Sequence, residues 1–198
     1  QTSIDVDSYN LLENQNLENL YPSYSEDQEI DKLIADFQNQ LGIESFEKFT
    51  DSVSSLMVTA IKKDLEEFGV VYNNWFSERE MINKGLVQKS IKQLKDNNLT
   101  YKKGGALWLQ TMNFGDDKDR ALQKSDNSWT YFASDVAYHN NKLNRKFDIL
   151  INILGADHAG YVKRITSAVE ALSGKKNKLI CKVSQLVKLI KDGKPFKM

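Results

Sequence analysis

Apolar residues recur along this chain at different periods, and each period predicts a different kind of element. From Glu26 the positions Ile30, Leu33, Ile34, Phe37 and Leu41 fall three or four apart, which predicts a helix that Gly42 stops. A longer helix is predicted from about Glu44 to Phe68. Its apolar positions Phe46, Phe49, Val53, Leu56, Met57, Ala60, Ile61, Leu65 and Phe68 form one stripe suited to packing against a sheet. After Gly69 the period drops to two: Val70, Val71 and Tyr72, then Trp75 and Phe76, predict a strand entering a turn. Ser77 is placed to cap a short helix through Glu80. An amphipathic helix from about Gly85 to Asp96 carries Val87, Ile91 and Leu94. Leu99 to Tyr101 and Ala106 to Leu109 flank Lys102-Lys103-Gly104-Gly105, a hairpin signal. Arg120 to Ser125 and Trp129 to Phe132 predict two more strands around Asp126-Asn127. The apolar run from Ile149 to Leu154 is interrupted only by Asn152 and ends at Gly155, the pattern of a central parallel strand. A helix from His158 to Leu172 follows, with Val162, Ile165, Val169 and Leu172 facing inward. A last hairpin runs from Leu186 to Ile190, turns at Asp192-Gly193 and leads into Lys194 to Met198.

Strands alternating with helices place the chain in the α/β class, where ligands bind outside the carboxyl ends of parallel strands. Gly155, Asp157, His158 and Gly160 lie at such an end, where a nucleotide would be held. Gly155 permits close approach of backbone to a ligand. Asp157 offers a carboxylate to ribose hydroxyls or to an amino group, and the amides opening the next helix suit an anion. The competing reading makes Asp157 a helix cap and leaves His158 exposed. Before this strand, Tyr131 and Asp135 stand four residues apart, on one face of a predicted helix. A carboxylate beside a phenol suits a guanidinium, which gives two parallel hydrogen bonds to the acid and packs on an aromatic ring. Alternatively, Asp135 pairs with Arg145 or Lys142 at the surface. Tyr138 and His139 continue the same helix, and a lone histidine there is more often a hydrogen-bonded structural residue than a base. The stretch NFGDDKDR holds Asp116, Asp117 and Asp119 but lacks the spacing of a calcium loop. It reads as a solvated loop whose carboxylates cap local amides, so no metal site is assigned.

Composition narrows the class only a little. The 198 residues carry 27 basic and 27 acidic side chains, so net charge does not announce a nucleic-acid surface, although local patches remain open to one. One cysteine, Cys181, fits a reducing compartment, and no apolar run reaches bilayer length. Cytoplasm is the expected location. Residues 1–25, rich in Asn, Asp, Ser and Tyr without an apolar period, read as an irregular connecting segment.

The blocks GALWLQTMNFGDDKDRALQKSDNSWTYFASDVAYH, then FDILINILGADHAGY, then KPFKM stand in an order and spacing that resemble the catalytic domain of bacterial arginyl-tRNA synthetases, over roughly Asp64 to Met198. The resemblance implies a Rossmann-like class I synthetase fold: a partial catalytic domain over residues 26–198, with a parallel central sheet and an inserted α+β region at about 70–125. It implies ATP-dependent activation of arginine to arginyl-adenylate and transfer to tRNA(Arg), with Mg2+ accompanying ATP. Arginine would be bound by Tyr131, Asp135, Tyr138, His139 and His158. ATP would be bound by Gly155, Asp157, His158, Gly160, Lys197 and Met198, with Lys197 neutralising charge that develops on the triphosphate. His139 and His158 are the only histidines, and neither stands in the HIGH-type context of class I synthetases; the KMSKS-type signature is cut after Met198. The chain is therefore expected to be an internal piece of a larger, monomeric enzyme and to be inactive alone. A non-catalytic nucleotide-binding paralogue acting as regulator or scaffold, and a class I synthetase of other specificity, are the alternative readings.

Overall fold

The computed structural model describes residues 27–196, apart from Leu186, Lys188 and Asp192; the segment 1–25, Lys197 and Met198 lie outside the described residues. The chain divides between Trp75 and Phe76 into two compact units.

The first unit is a helical hairpin. Helix α1 (Asp27–Leu41) and helix α2 (Ile43–Glu67) are joined at Gly42, whose φ of 75° is the left-handed turn that stops one helix before the next begins. The long apolar stripe of α2 is found, but its expected burial is not. No residue of α2 is buried, and Phe49, Val53, Leu56, Met57 and Ile61 are all exposed. Two helices alone offer too little surface to cover a stripe of that length. The strand expected at Val70 to Tyr72 is also absent. That segment is irregular, and Tyr72 meets Trp75 edge to face at 5.6 Å while Lys62 Nζ lies 5.0 Å from the Trp75 ring. Alternating β-prone residues do not make a strand without a neighbour to take their backbone groups.

The second unit holds the core. Helix α3 (Glu78–Asn83) opens on Ser77, whose hydroxyl accepts from the Glu80 amide at 3.2 Å, the cap read from the sequence. Helix α4 (Leu86–Asp96) buries Val87, Ile91 and Leu94 as its period requires. A three-stranded antiparallel sheet follows: β1 (Thr100–Lys103), β2 (Ala106–Leu109) and β3 (Arg120–Gln123) in the order β1-β2-β3. Its first turn is Gly104-Gly105, both with positive φ (58° and 76°), as a two-residue hairpin turn demands.

Trp129 to Phe132 is not a strand. Trp129 makes one bridge to Gln123, and the chain then enters helix α5 (Tyr131–Asn144), because the Thr130 hydroxyl accepts from the Ala133 amide at 3.2 Å. Thr130 also donates to the Ala121 carbonyl at 2.8 Å, which ties the start of α5 to β3. Strand β4 (Leu150–Gly155) pairs in parallel with β5 (Leu179–Ser184), Leu150 opposite Leu179 and Gly155 opposite Ser184. Between them lie a 3-10 turn, Ala156–Tyr161, and helix α6 (Val162–Ser173). The helix expected from His158 thus begins four residues later, and Val162 is only half-buried while Ile165, Val169 and Leu172 are buried. The last hairpin forms as β6 (Leu189–Lys191) and β7 (Lys194–Phe196). Side chains of α3, α4, the small sheet, α5, β4, α6 and β5 share one core that includes Met81, Leu109, Leu122, Val136, Ile165 and Val169.

Candidate active site

Helix α5 is tied to β4 and to the turn that follows it through two hydrogen-bonded links. Asn152 interrupts the apolar run of β4 and is buried, so its amide must find partners. It donates through Nδ2 to His139 Nε2 at 2.8 Å and accepts through Oδ1 from Lys142 Nζ at 2.9 Å. The bond from Asn152 makes Nε2 the acceptor nitrogen, so His139 is the tautomer that donates from Nδ1, here to the Asp135 carbonyl at 2.8 Å. Burial pushes the imidazole below its ordinary value, so this ring stays neutral. His139 was expected among the arginine-binding residues. Its side chain is buried with both nitrogens occupied, and its Nδ1 holds the Asp135 backbone carbonyl.

The second link reaches the Asp135 side chain. Tyr161, the last residue of the 3-10 turn after β4, donates its phenol to Asp135 Oδ2. Burial, then the bond to Asp135, pushes that phenol well above its ordinary value and keeps it a donor. Arg164 lies one turn further on, with its guanidinium carbon 4.9 Å from the centre of the Tyr161 ring. Asp135 is half-buried between α5 and the turn after β4. Tyr131, one turn before it, is 92% exposed and open to a ligand. Tyr138 is less so: Phe76 packs on its ring at 4.4 Å and Lys142 Nζ stands 4.2 Å from its centre. Burial pushes the Lys142 ammonium below its ordinary range.

At the strand tip, Asp157 and His158 are open to solvent, with Oδ2 and Nε2 3.4 Å apart. Asp157 caps neither the turn nor α6. Gly155 has an ordinary φ of −66°, so its backbone does not demand glycine. A Cβ there would meet only Asp157 Oδ1, the end of an exposed side chain that can turn aside. Gly160 has open space around it. The acidic loop between β2 and β3 differs from expectation. Asp119 caps the Met112 amide and Asp116 caps the Asp117 amide, as read, but the Asp116 side chain is fully buried and grips Arg120 through both oxygens at 2.7 and 2.8 Å. Its carboxyl is held well below the usual carboxylate range by Arg120. Sequence reading passed over Tyr161, Arg120 and Asn152. Asn152 alone carried a local signal, as one amide in an apolar strand.

A parallel β-α-β unit with an acid, a histidine and glycines at its carboxyl edge, and a carboxylate beside it, has the layout of the α/β class, in which ligands bind at that edge. Residues 7–198 match the family model described as tRNA synthetases class I (R), catalytic domain, and the chain belongs to that family. It is 56% identical to the arginine–tRNA ligase of Pelagibacter ubique over 80% of this chain, and 42% identical to that of Nitrosomonas eutropha over 87%. It spans only 31% and 29% of the lengths of those two relatives. Among solved structures, a Campylobacter jejuni protein assigned as an arginyl-tRNA synthetase superposes with a TM-score of 0.73 at 32% identity, covering 98% of this chain and 43% of its own. Arginyl-tRNA synthetase from Plasmodium falciparum superposes with a TM-score of 0.63 over 86% of this chain and 30% of its own, at an identity of 19% that speaks to fold alone.

Proposed function

We propose that this chain supplies part of the catalytic centre of an arginine–tRNA ligase, in which arginine attacks ATP and is then passed to tRNA(Arg). The observation that carries the reading is the half-buried Asp135 carboxylate, held by Tyr161 beside the tip of β4 with the exposed Tyr131 ring one helical turn away. In this reading the arginine guanidinium docks on Asp135, with Tyr131 alongside, and Tyr138 forms a wall of the pocket. Gly155, Asp157, His158 and Gly160 receive the adenosine and the amino-acid end of arginine at the carboxyl edge of β4 and β5. Held there, the arginine carboxylate attacks the α-phosphate, the bond to the β-phosphate breaks and pyrophosphate leaves; a ribose hydroxyl of tRNA then displaces AMP from the adenylate. The work of the protein in both steps is positioning and charge stabilisation. Lys197 would meet the triphosphate charge, with Met198 beside it.

Among the described residues no cluster of three or more His, Cys, Asp or Glu side chains is arranged to hold a metal ion. Magnesium then enters on the phosphates of ATP rather than in a protein cage. Among the described residues no helix is long and apolar enough to cross a membrane. A monomer in the cytoplasm completes the proposal.

The test is Asp135→Ala in the full-length protein. Loss of a guanidinium partner should weaken arginine binding by about 2 to 5 kcal/mol, measured by calorimetry or as KM in arginine-dependent pyrophosphate exchange with tRNA present. Unchanged arginine affinity removes the pocket assignment and favours another specificity. Absence of any amino-acid-dependent exchange by the unmodified protein favours a non-catalytic nucleotide-binding role.

A further inference from the structure

We propose that Tyr161 is a positioning residue for arginine recognition, its phenol pinning one oxygen of Asp135 so that the carboxylate meets the guanidinium in a fixed plane. The inference rests on the arginine pocket proposed above and adds to it a residue from a different element. Tyr161 donates to the Asp135 carboxylate across 26 residues of sequence. A carboxylate turns easily about its terminal torsion, which is broad and two-fold, so a helix alone does not fix its plane. The backbone of Asp135 is separately held by His139, which Asn152 holds in turn. Backbone and side chain are thus anchored from β4 and from the turn that follows it.

The bond leaves room for a ligand. An ionised carboxylate has about four acceptor sites, and the phenol uses one of them, on Oδ2. Oδ1 and the remaining site on Oδ2 stay available to the two parallel N–H groups of a guanidinium. Arg164 does not compete for the acid. It is engaged with the face of the Tyr161 ring, and its Nε is buried without a hydrogen-bond partner among the described residues. If the ring of residue 161 served only to fill space, phenylalanine would do as well. What tyrosine adds is the hydroxyl, which is directed at the one acid suited to this ligand.

Tyr161→Phe keeps the ring and its stacking with Arg164, so the fold is preserved while the donor is removed. In the full-length protein, the expected result is an arginine KM raised about tenfold, the loss of one hydrogen bond to a charged group. The KM for ATP should stay within about twofold and Tm should be unchanged, whereas a merely structural role would move both substrates and Tm together. Asp135→Asn and the double variant complete the cycle. If Tyr161 acts through Asp135, the double variant is no worse than Asp135→Asn alone. Additive losses, an unchanged arginine KM in Tyr161→Phe, or a parallel rise in both KM values with a lowered Tm would each overturn the inference. An arginine KM indifferent to Asp135→Asn as well would instead remove the pocket on which the inference rests.

Discussion

Two acid–base pairs of side chains, Asp116 with Arg120 and Asp157 with His158, stand in opposite relations to water. The first pair has side chains 0% and 12% exposed, and the carboxylate gives both oxygens to one guanidinium. The second has side chains 75% and 60% exposed, at a separation of 3.4 Å. A charge taken out of water must be fully paired and hydrogen-bonded, so the first pair is committed to holding the loop between β2 and β3. Exposed pairs contribute little to stability, which leaves the second free to exchange partners. Sequence proximity of acids and bases is similar in the two places; burial separates the two pairs.

The largest effect that tests this contrast is on the buried pair. Asp116→Ala should destabilise the second unit by about 3 to 5 kcal/mol in urea or thermal unfolding, because Arg120 is left buried without its two-oxygen partner. Asp117 also touches Arg120 but is 68% exposed and offers a single oxygen. A change below about 1 kcal/mol, the range of exposed pairs, would erase the distinction.

Smaller, and separable by pH, are the contributions of the buried titrating groups. The Asp116 carboxyl is held below its ordinary value of 3.8, so its contribution is complete above that pH and is lost as pH falls further. His139 is held below its ordinary value of 6.5, so the unfolded chain takes up a proton first and stability declines as pH falls below 6.5. Stability measured by urea unfolding should therefore fall in two windows. His139→Gln should flatten the upper one and Asp116→Asn the lower one. A single window unaffected by His139→Gln would mean that the imidazole is not held neutral by the fold.

Local order was largely legible in the sequence, and long-range contacts were not. The stripe Val87, Ile91, Leu94 and the glycine pair at 104 and 105 each express a requirement met within a few residues, and both elements formed as read. Trp129 to Phe132 misled because bulky, β-prone side chains outweighed the capping power of Thr130, which became clear only with Ala121 and Ala133 in place. The α2 stripe was recognisable, but what would cover it is not written in the stripe itself. Asp135 and Tyr131 were singled out because helical spacing places them one turn apart and the family resemblance gives that pair a role. Tyr161 was passed over because its bond spans 26 residues and two elements. Asn152 was the one long-range contact with a local mark, since an amide in an apolar strand must be satisfied by something outside the strand.

The smallest effect on stability is expected at Gly155. A methyl group there would strike Asp157 Oδ1, the far end of a flexible and exposed side chain. That carboxylate has water to turn into, and the φ of −66° suits alanine, so Gly155→Ala should change unfolding free energy by no more than about 0.5 kcal/mol. The same rotation carries the acid away from the place where a nucleotide ribose would meet it, so the KM for ATP in the full-length protein should rise while Tm stays put. A large loss of stability would mean that Asp157 is held as firmly as Asp116, and the strand tip would then belong with the scaffold. Weakened ATP binding on an undisturbed fold is the outcome that an exposed, exchangeable pair requires.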